Sequence, residues 1–270
     1  MNVAAPARRP LARLLASVYA DATAACDGAR LVRAALENPG PSAALAQARS
    51  VHVLALGKVA LPMLEGLRDA LSDAQIPPAS GLIITSAVLS AGAALPPTYA
   101  LVTGEHPVPG AGSLAAGHAA RNYVAALSPD APLVVLLSGG GSALACLPAG
   151  SLTLADKVAT VTALAKSGAS IHELNAVRKH LSAIKGGRLG ARARGPVLVL
   201  ALSDVTDDDL SVIASGPFHS DPTTFADALS ILGDRRISVP AAVREHLEAG
   251  AAGRVPETVK PSAQLEIAHH

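Results

Sequence analysis

Four groups of residues in this chain have types and spacings that suit the handling of a small anion. The first is Ser138-Gly139-Gly140-Gly141-Ser142, which ends the apolar run Pro132–Leu137. Glycines let the backbone turn tightly and bring successive N–H groups close to a ligand. Phosphate or carboxylate binding at the start of the next helix is the chemistry such a turn suits best. An ordinary glycine-rich strand–helix turn has the same composition, and these residues alone do not separate the two. The second group is Asn175, Arg178, Ser182 and Lys185, spaced by three or four. On one helix running toward Gly186 they share a face. That face either clamps an anionic substrate or is a solvated cationic helix end favoured by the helix dipole. The third is Asp204, directly after an apolar run, where a carboxylate serves as a base, binds Mg2+, or caps a turn. The fourth is Gly57-Lys58, a lysine directly after another apolar run. Asp207-Asp208-Asp209 reads as a solvated helix start rather than a metal cage, and His106, between Glu105 and Pro107, as a residue that fixes a turn.

The familiar motifs fail one after another. Gly57-Lys58 is followed by Val59, and no glycine stands where a Walker A loop needs its first one. Gly139-x-Gly141 has Leu144 where a dinucleotide fingerprint has its last glycine. Gly140-Gly-Ser142-Ala-Leu144 misses the nucleophile elbow at the same leucine, which leaves a serine hydrolase only a small share. No zinc spacing is present, and Ile171-His172-Glu173 holds a lone His-Glu pair.

The elements that must position these groups alternate. Apolar runs at Val51–Leu56, Gly81–Thr85, Tyr99–Thr103, from Leu133, and at Val197–Leu202 read as strands buried on both faces. Helices are expected over about 11–36 (one or two, ended by Asn38-Pro39-Gly40-Pro41), 59–71, 113–127, 153–166, 170–181 with a serine cap, 223–232 and 241–249. This pattern predicts an α/β fold: an open, mostly parallel, Rossmann-like sheet with helices on both faces. Ligands in such sheets bind beyond the C-terminal ends of the strands. There stand Gly57-Lys58, Thr85-Ser86, Gly104–Pro109, Ser138–Ser142 and Ser203–Asp209, which hold nearly all the unusual polar chemistry of the chain.

Composition narrows the partners. With 50% hydrophobic but 2% aromatic residues and no Trp, the core of the 270-residue chain must be built from Ala, Leu, Val and Ile. A net charge of +1, with no basic stripe interleaved with aromatics, argues against nucleic acid. Cys26 and Cys146 lie too far apart for a metal-binding pair and argue weakly for a reducing compartment. No apolar stretch approaches a membrane span. Arg8-Arg9 precede Leu11–Ala20, but Arg13 and Asp21 interrupt that region. It reads as an amphipathic helix with Leu11, Leu14, Leu15, Val18 and Ala22 on one side rather than as a secretory signal. The cytoplasm is the default location.

Taken together, the segments resemble the glycerate 2-kinase family whose C-terminal part is called the MOFRL domain and whose members were often labelled hydroxypyruvate reductase. The matching blocks are Ala55–Lys58, Gly104–Pro109, Leu137–Leu144, Asn175–Gly187, and Ser203-Asp204-Val205 with Ile213–Pro217, in the family's order over about 11–268. The resemblance implies phosphorylation of D-glycerate from ATP, with Mg2+, to give 2-phosphoglycerate. It implies Lys58, Asp204 and Arg178 as catalytic residues, Asp204 also as the Mg2+ ligand, and Ser138, Gly139, Gly140, Gly141 and Ser142 as the phosphate- or nucleotide-binding turn. His106, Asn175 and Lys185 would touch substrate. No membrane partner is implied, and a homodimer is left open. Two departures stand out: Asp207 where the family usually has glycine, and Gly110 where it has aspartate. The expected organisation is a helical segment over 1–40 packing on the domain, an α/β domain over 41–255, and over 256–270 the start of a linker. The family's C-terminal domain is then missing, which makes this chain a fragment. The rival readings are a reductase of hydroxypyruvate using NAD(P)H and a fragment that binds ligand without turnover.

Overall fold

The computed structural model describes residues 8–46, 48–86, 95–261 and 267–269. The chain begins with α1 (Arg8–Ala25), α2 (Gly28–Leu36) and α3 (Pro39–Leu45), then enters β1 (Val51–Leu56). There follow α4 (Ala60–Asp73), β2 (Pro78–Thr85), β3 (Tyr99–Thr103), α5 (Ala111–Ala126) and β4 (Leu133–Ser138). After β4 come α6 (Gly141–Leu144), α7 (Leu154–Lys166), α8 (Ile171–His180), β5 (Val197–Leu202), α9 (Phe225–Asp234), α10 (Ala241–Ala251) and the short edge strand β6 (Ile267–His269).

All strand pairs are parallel, in the order β3-β2-β1-β4-β5-β6. Alternate residues along each strand face opposite sides. Leu54, Leu56, Val135, Leu137 and Val199 pack with Ala116, Ala120 and Val124 of α5. Val53, Ala55, Val134, Leu136 and Leu198 pack with Val32 of α2 and with Met63, Leu64 and Leu67 of α4. Full burial of such aliphatic side chains contributes about 1.5–3 kcal/mol each. A third cluster, with Leu164, Val177, Phe225, Leu232, Val243 and Leu247, ties α7–α10 together beside the sheet.

Three expectations need correction. The polar series Asn175, Arg178, Ser182 and Lys185 does not lie on one helix, because α8 stops at His180. The Arg188 Nη1 donates to the carbonyls of Lys179 (2.9 Å) and Ser182 (2.8 Å), so the helix end is satisfied from outside. Ser182 is buried, its hydroxyl donating to the Leu147 carbonyl. Asn38-Pro39-Gly40-Pro41 ends α2 but also starts α3, with proline in the first turn where a missing N–H costs nothing. In the N-terminal segment, α2 packs on α4, whereas α1 is exposed along its described side chains, Leu11, Leu14, Leu15 and Val18 included.

Candidate active site

The order of the sheet reverses between β1 and β4, and that is the crevice where ligands bind in open α/β sheets. The loops after these two strands are Gly57-Lys58 and Ser138–Gly140, and they are locked together. The Lys58 N–H donates to the Gly139 carbonyl (3.0 Å), and the Val59 N–H to the Ser138 hydroxyl (3.2 Å). Gly57 has φ 138°, and a Cβ there would fall 2.1 Å from the Ser138 Oγ. The close approach therefore requires glycine. Gly140 has φ 86° and lies under the Lys58 side chain, whose Cγ and Cε would each be 3.0 Å from a Cβ at that position.

A cavity of about 860 Å³ opens above this crevice, a size suited to a small-molecule ligand. His106, Gly139, Gly140 and Ser142 line one wall; Lys157, Asn175, Arg178 and Lys185 line the other; Asp204 stands at its rim. The expected residues thus converge, with Lys58 beside the first wall. Ser138 and Gly141 are turned away from it. The Ser138 hydroxyl is buried against the Gly57 loop, and Gly141 packs on Ala214 and Leu56.

Asp204 is exposed and makes no side-chain hydrogen bond among the described residues, so it caps neither a turn nor a helix. Its Oδ2 would be 2.2 Å from a Cβ at Gly139, so the carboxylate lies directly over the turn and a side chain at Gly139 would push it aside. Thr206–Asp208 form a single 3-10 turn; the side chain of Asp207 lies outside the described residues. No group of three His, Cys, Asp or Glu that could hold a metal ion occurs among the described residues. Asp204 alone still fits Mg2+ arriving with a nucleotide, since Mg2+ binds through one or two carboxylates plus phosphate oxygens and water.

His106 is largely exposed, and the partial desolvation of its ring, followed by the nearby Lys58, lowers its pKa. Its position depends on Glu105. That carboxylate accepts from the N–H groups of Gly110 (3.1 Å), Gly112 (3.0 Å) and Ser113 (2.7 Å) and from the Ser113 hydroxyl (2.8 Å). The Ser113 hydroxyl first, then these N–H groups, hold the Glu105 pKa down to about 2. Glu105 thereby satisfies the N-terminus of α5.

The floor is strained. Ala214 (φ 51°), Ser215 (φ 62°) and Gly216 (φ 59°) are consecutive left-handed residues. Two of them are not glycine and cost about 1–3 kcal/mol each. Polar contacts hold them there. The Ser215 hydroxyl donates to the Asn175 Oδ1 (2.8 Å) and meets the Ser142 hydroxyl. The Asn175 Nδ2 donates to the Val212 carbonyl (3.4 Å), and the Lys185 Nζ to the carbonyls of Ala145 (3.4 Å) and Ala214 (3.3 Å). Asn175 is therefore engaged by protein, and its amide positions Ser215 and Arg178.

Lys185 is 2% exposed. Burial, then the proximity of Lys157 and Arg178, pushes its pKa down to about 7. Burial also lowers Lys157, and no ion pair joins Lys157, Arg178 or Lys185 to a carboxylate among the described residues. The wall that carries them is braced from behind. Lys179 pairs with buried Asp221 (3.3 Å), His180 meets Glu257 (3.0 Å), and Arg188 reaches the Pro256 carbonyl (3.0 Å). Glu105 and Lys157 are the site residues that sequence reasoning missed. The available signal for Lys157 was a cation in a first helical turn, just after the Thr153–Asp156 capping box.

A parallel doubly wound sheet with a cation-lined cavity at its switch point defines a class: an open α/β domain whose ligand crevice lies at the C-terminal ends of its central strands. The sequence profile described as "Domain of unknown function (DUF4147)" matches residues 14–248. The chain belongs to that family, the N-terminal domain of the glycerate 2-kinases. It is 41% identical over 212 residues to a protein named glycerate 2-kinase from Pyrococcus horikoshii, covering 78% of this chain and 46% of that one. It is also 41% identical over 227 residues to an Agrobacterium vitis protein named as a hydroxypyruvate reductase, covering 80% of this chain and 50% of that one. Among solved structures it resembles the PH0495 protein of Pyrococcus horikoshii OT3, with TM-score 0.71 and 38% identity over 82% of this chain and 50% of that chain. The glycerate kinase of Thermotoga maritima gives TM-score 0.71 and 31% identity over 90% of this chain and 57% of that chain. The chain thus spans about half the length of the relatives it matches.

Proposed function

We propose that this chain carries one wall of the active site of an ATP-dependent D-glycerate 2-kinase. The observation that supports this most is the gathering of Lys58, Arg178 and Asp204 around one cavity at the switch point, in a family whose named relatives include glycerate kinases. Phosphoryl transfer asks a protein mainly for positioning and for neutralisation of charge. Lys58, free to reach over Gly140, and Arg178 offset negative charge on the transferring phosphoryl group, while the turn at Gly139 and Gly140 offers backbone N–H donors. Asp204 accepts a hydrogen bond from the glycerate 2-hydroxyl and orients its oxygen, or supplies one Mg2+ ligand. Bound Mg2+ would draw charge from the phosphoryl oxygens. His106, with its lowered pKa, presents a neutral ring to the substrate at neutral pH.

The test is ADP release from ATP and D-glycerate, measured for this chain alone and for a version extended with a relative's remaining half. Lys58→Ala and Asp204→Asn are expected to lower kcat by about 10²–10³-fold in whichever form turns over. Near-normal turnover in both variants would sink the assignment. Oxidation of NADH with hydroxypyruvate, measured on the same samples, would replace it with the reductase activity that some relatives' names describe.

A further inference from the structure

Lys157 has no place in the reading above, yet it is the most unusual charge in the domain. It stands in the first turn of α7, where the positive end of the helix dipole disfavours a cation. It is 4% exposed, lines the cavity, and its Nζ has no hydrogen-bond partner among the described residues. A buried ammonium without a partner is costly, and Met or Leu would fill the same space without that cost. The charges nearest to it do not help: Arg178, Arg188 and Lys185 are cations, and Cys146 is a thiol. A cation kept in such a position makes physical sense when an anion arrives to meet it.

We propose that Lys157, with Arg178 and Lys185, forms a receptor for a phosphate dianion on the helical wall of the cavity. The guanidinium fork grips two oxygens and the two ammonium groups approach the rest. A single carboxylate would neutralise only one of the three cations; a dianion matches the set more closely. The lowered pKa values of Lys157 and Lys185 add a consequence. With Cys146, Arg178 and Arg188 as the other titratable or charged groups facing them, Lys185, at about 7, is incompletely protonated near neutral pH, Lys157 is shifted in the same direction, and a bound dianion draws protons onto the pair. The source of the phosphate, nucleotide or phosphorylated acid, rests on the kinase reading; the receptor itself does not.

Calorimetric titration of the whole chain tests this with inorganic phosphate, 2-phosphoglycerate, ATP and D-glycerate as separate probes. Wild type is expected to bind inorganic phosphate with uptake of protons, seen as a dependence of the heat on buffer ionisation enthalpy. Lys157→Met is expected to melt no lower than wild type without ligand. It should bind phosphate at least about tenfold more weakly, take up fewer protons, and keep its D-glycerate affinity within about threefold. Lys157→Gln serves the same comparison if the methionine variant does not fold, and Lys157→Arg should restore part of the affinity. The stronger response between 2-phosphoglycerate and ATP identifies the source. Absence of phosphate binding by wild type, unchanged affinity in both neutral variants, or equal losses for phosphate and D-glycerate would each overturn the proposal. Phosphate binding that depends on Lys157 in a protein that never forms ADP would sustain it while removing the kinase reading.

Discussion

The two walls of the cavity hold their cations in opposite ways. Lys58 on the turn wall is exposed and anchored at its backbone, and its ammonium has no hydrogen-bond or ion-pair partner among the described residues. Lys157 and Lys185 on the helical wall are buried without an ion-pair partner among the described residues, Lys185 held by two backbone carbonyls and Lys157 by packing alone. The turn wall keeps a hydrogen-bonded backbone under an exposed charge. The helical wall keeps fixed charges at a standing cost to stability. An exposed lysine can follow a group that moves during a reaction, whereas fixed cations suit a group that stays put.

The largest effect expected from breaking this contrast is at Gly57. Alanine there meets the Ser138 Oγ at a φ of 138° and should remove about 2–4 kcal/mol of stability, read from urea unfolding. If Gly57→Ala unfolds at the wild-type midpoint, the turn wall is not held by that close approach.

On the other wall, Lys185→Met should be more stable than wild type by on the order of 1–2 kcal/mol at and below pH 7. The sign follows from the lowered folded pKa. Between about 7 and the ordinary lysine value of 10.5 the unfolded chain binds more protons, so wild-type stability rises with pH and the advantage of the variant fades. Melting curves across that range check it, and a constant offset would show that packing, not charge, sets the difference.

The smallest effect is at Glu105, and it falls in acid. Its folded pKa of about 2 lies below the ordinary 4.5, so its contribution is complete above 4.5 and is lost as pH falls toward 2. Glu105→Gln should melt lower than wild type at neutral pH, with the gap closing in acid. The two walls then titrate in separate ranges, one in acid and the other from about 7 upward.

The same contrast explains what could be read from the sequence. The parallel sheet, and Val51–Leu56, Tyr99–Thr103 and Val197–Leu202 as strands, were legible because continuous branched aliphatics admit few other states. The turn wall was legible too, since glycine and lysine directly after a buried strand are conspicuous. Lys157 was not, because a lysine on a helix bounded by good caps looks like a solvated charge; its burial depends on α8 and on what packs against it. The spacing of Lys185 predicts a helical face that the structure does not form. Lys185 reaches the cavity by a turn after α8 rather than along the helix, because Arg188 closes the helix end. The turning of Ser138 away from the ligand side follows from strand pleat and register, which composition does not reveal.

Lys185 ties the carbonyl of Ala145 to that of Ala214, partners 40 and 29 residues away along the chain. Loops of that length carry a closure entropy that must be met before the contacts return anything. During synthesis, then, the sheet's first strands can pair while the cavity does not yet exist. Its floor is completed only once residues past Ala214 have left the ribosome, so a ligand has no cavity to enter before then.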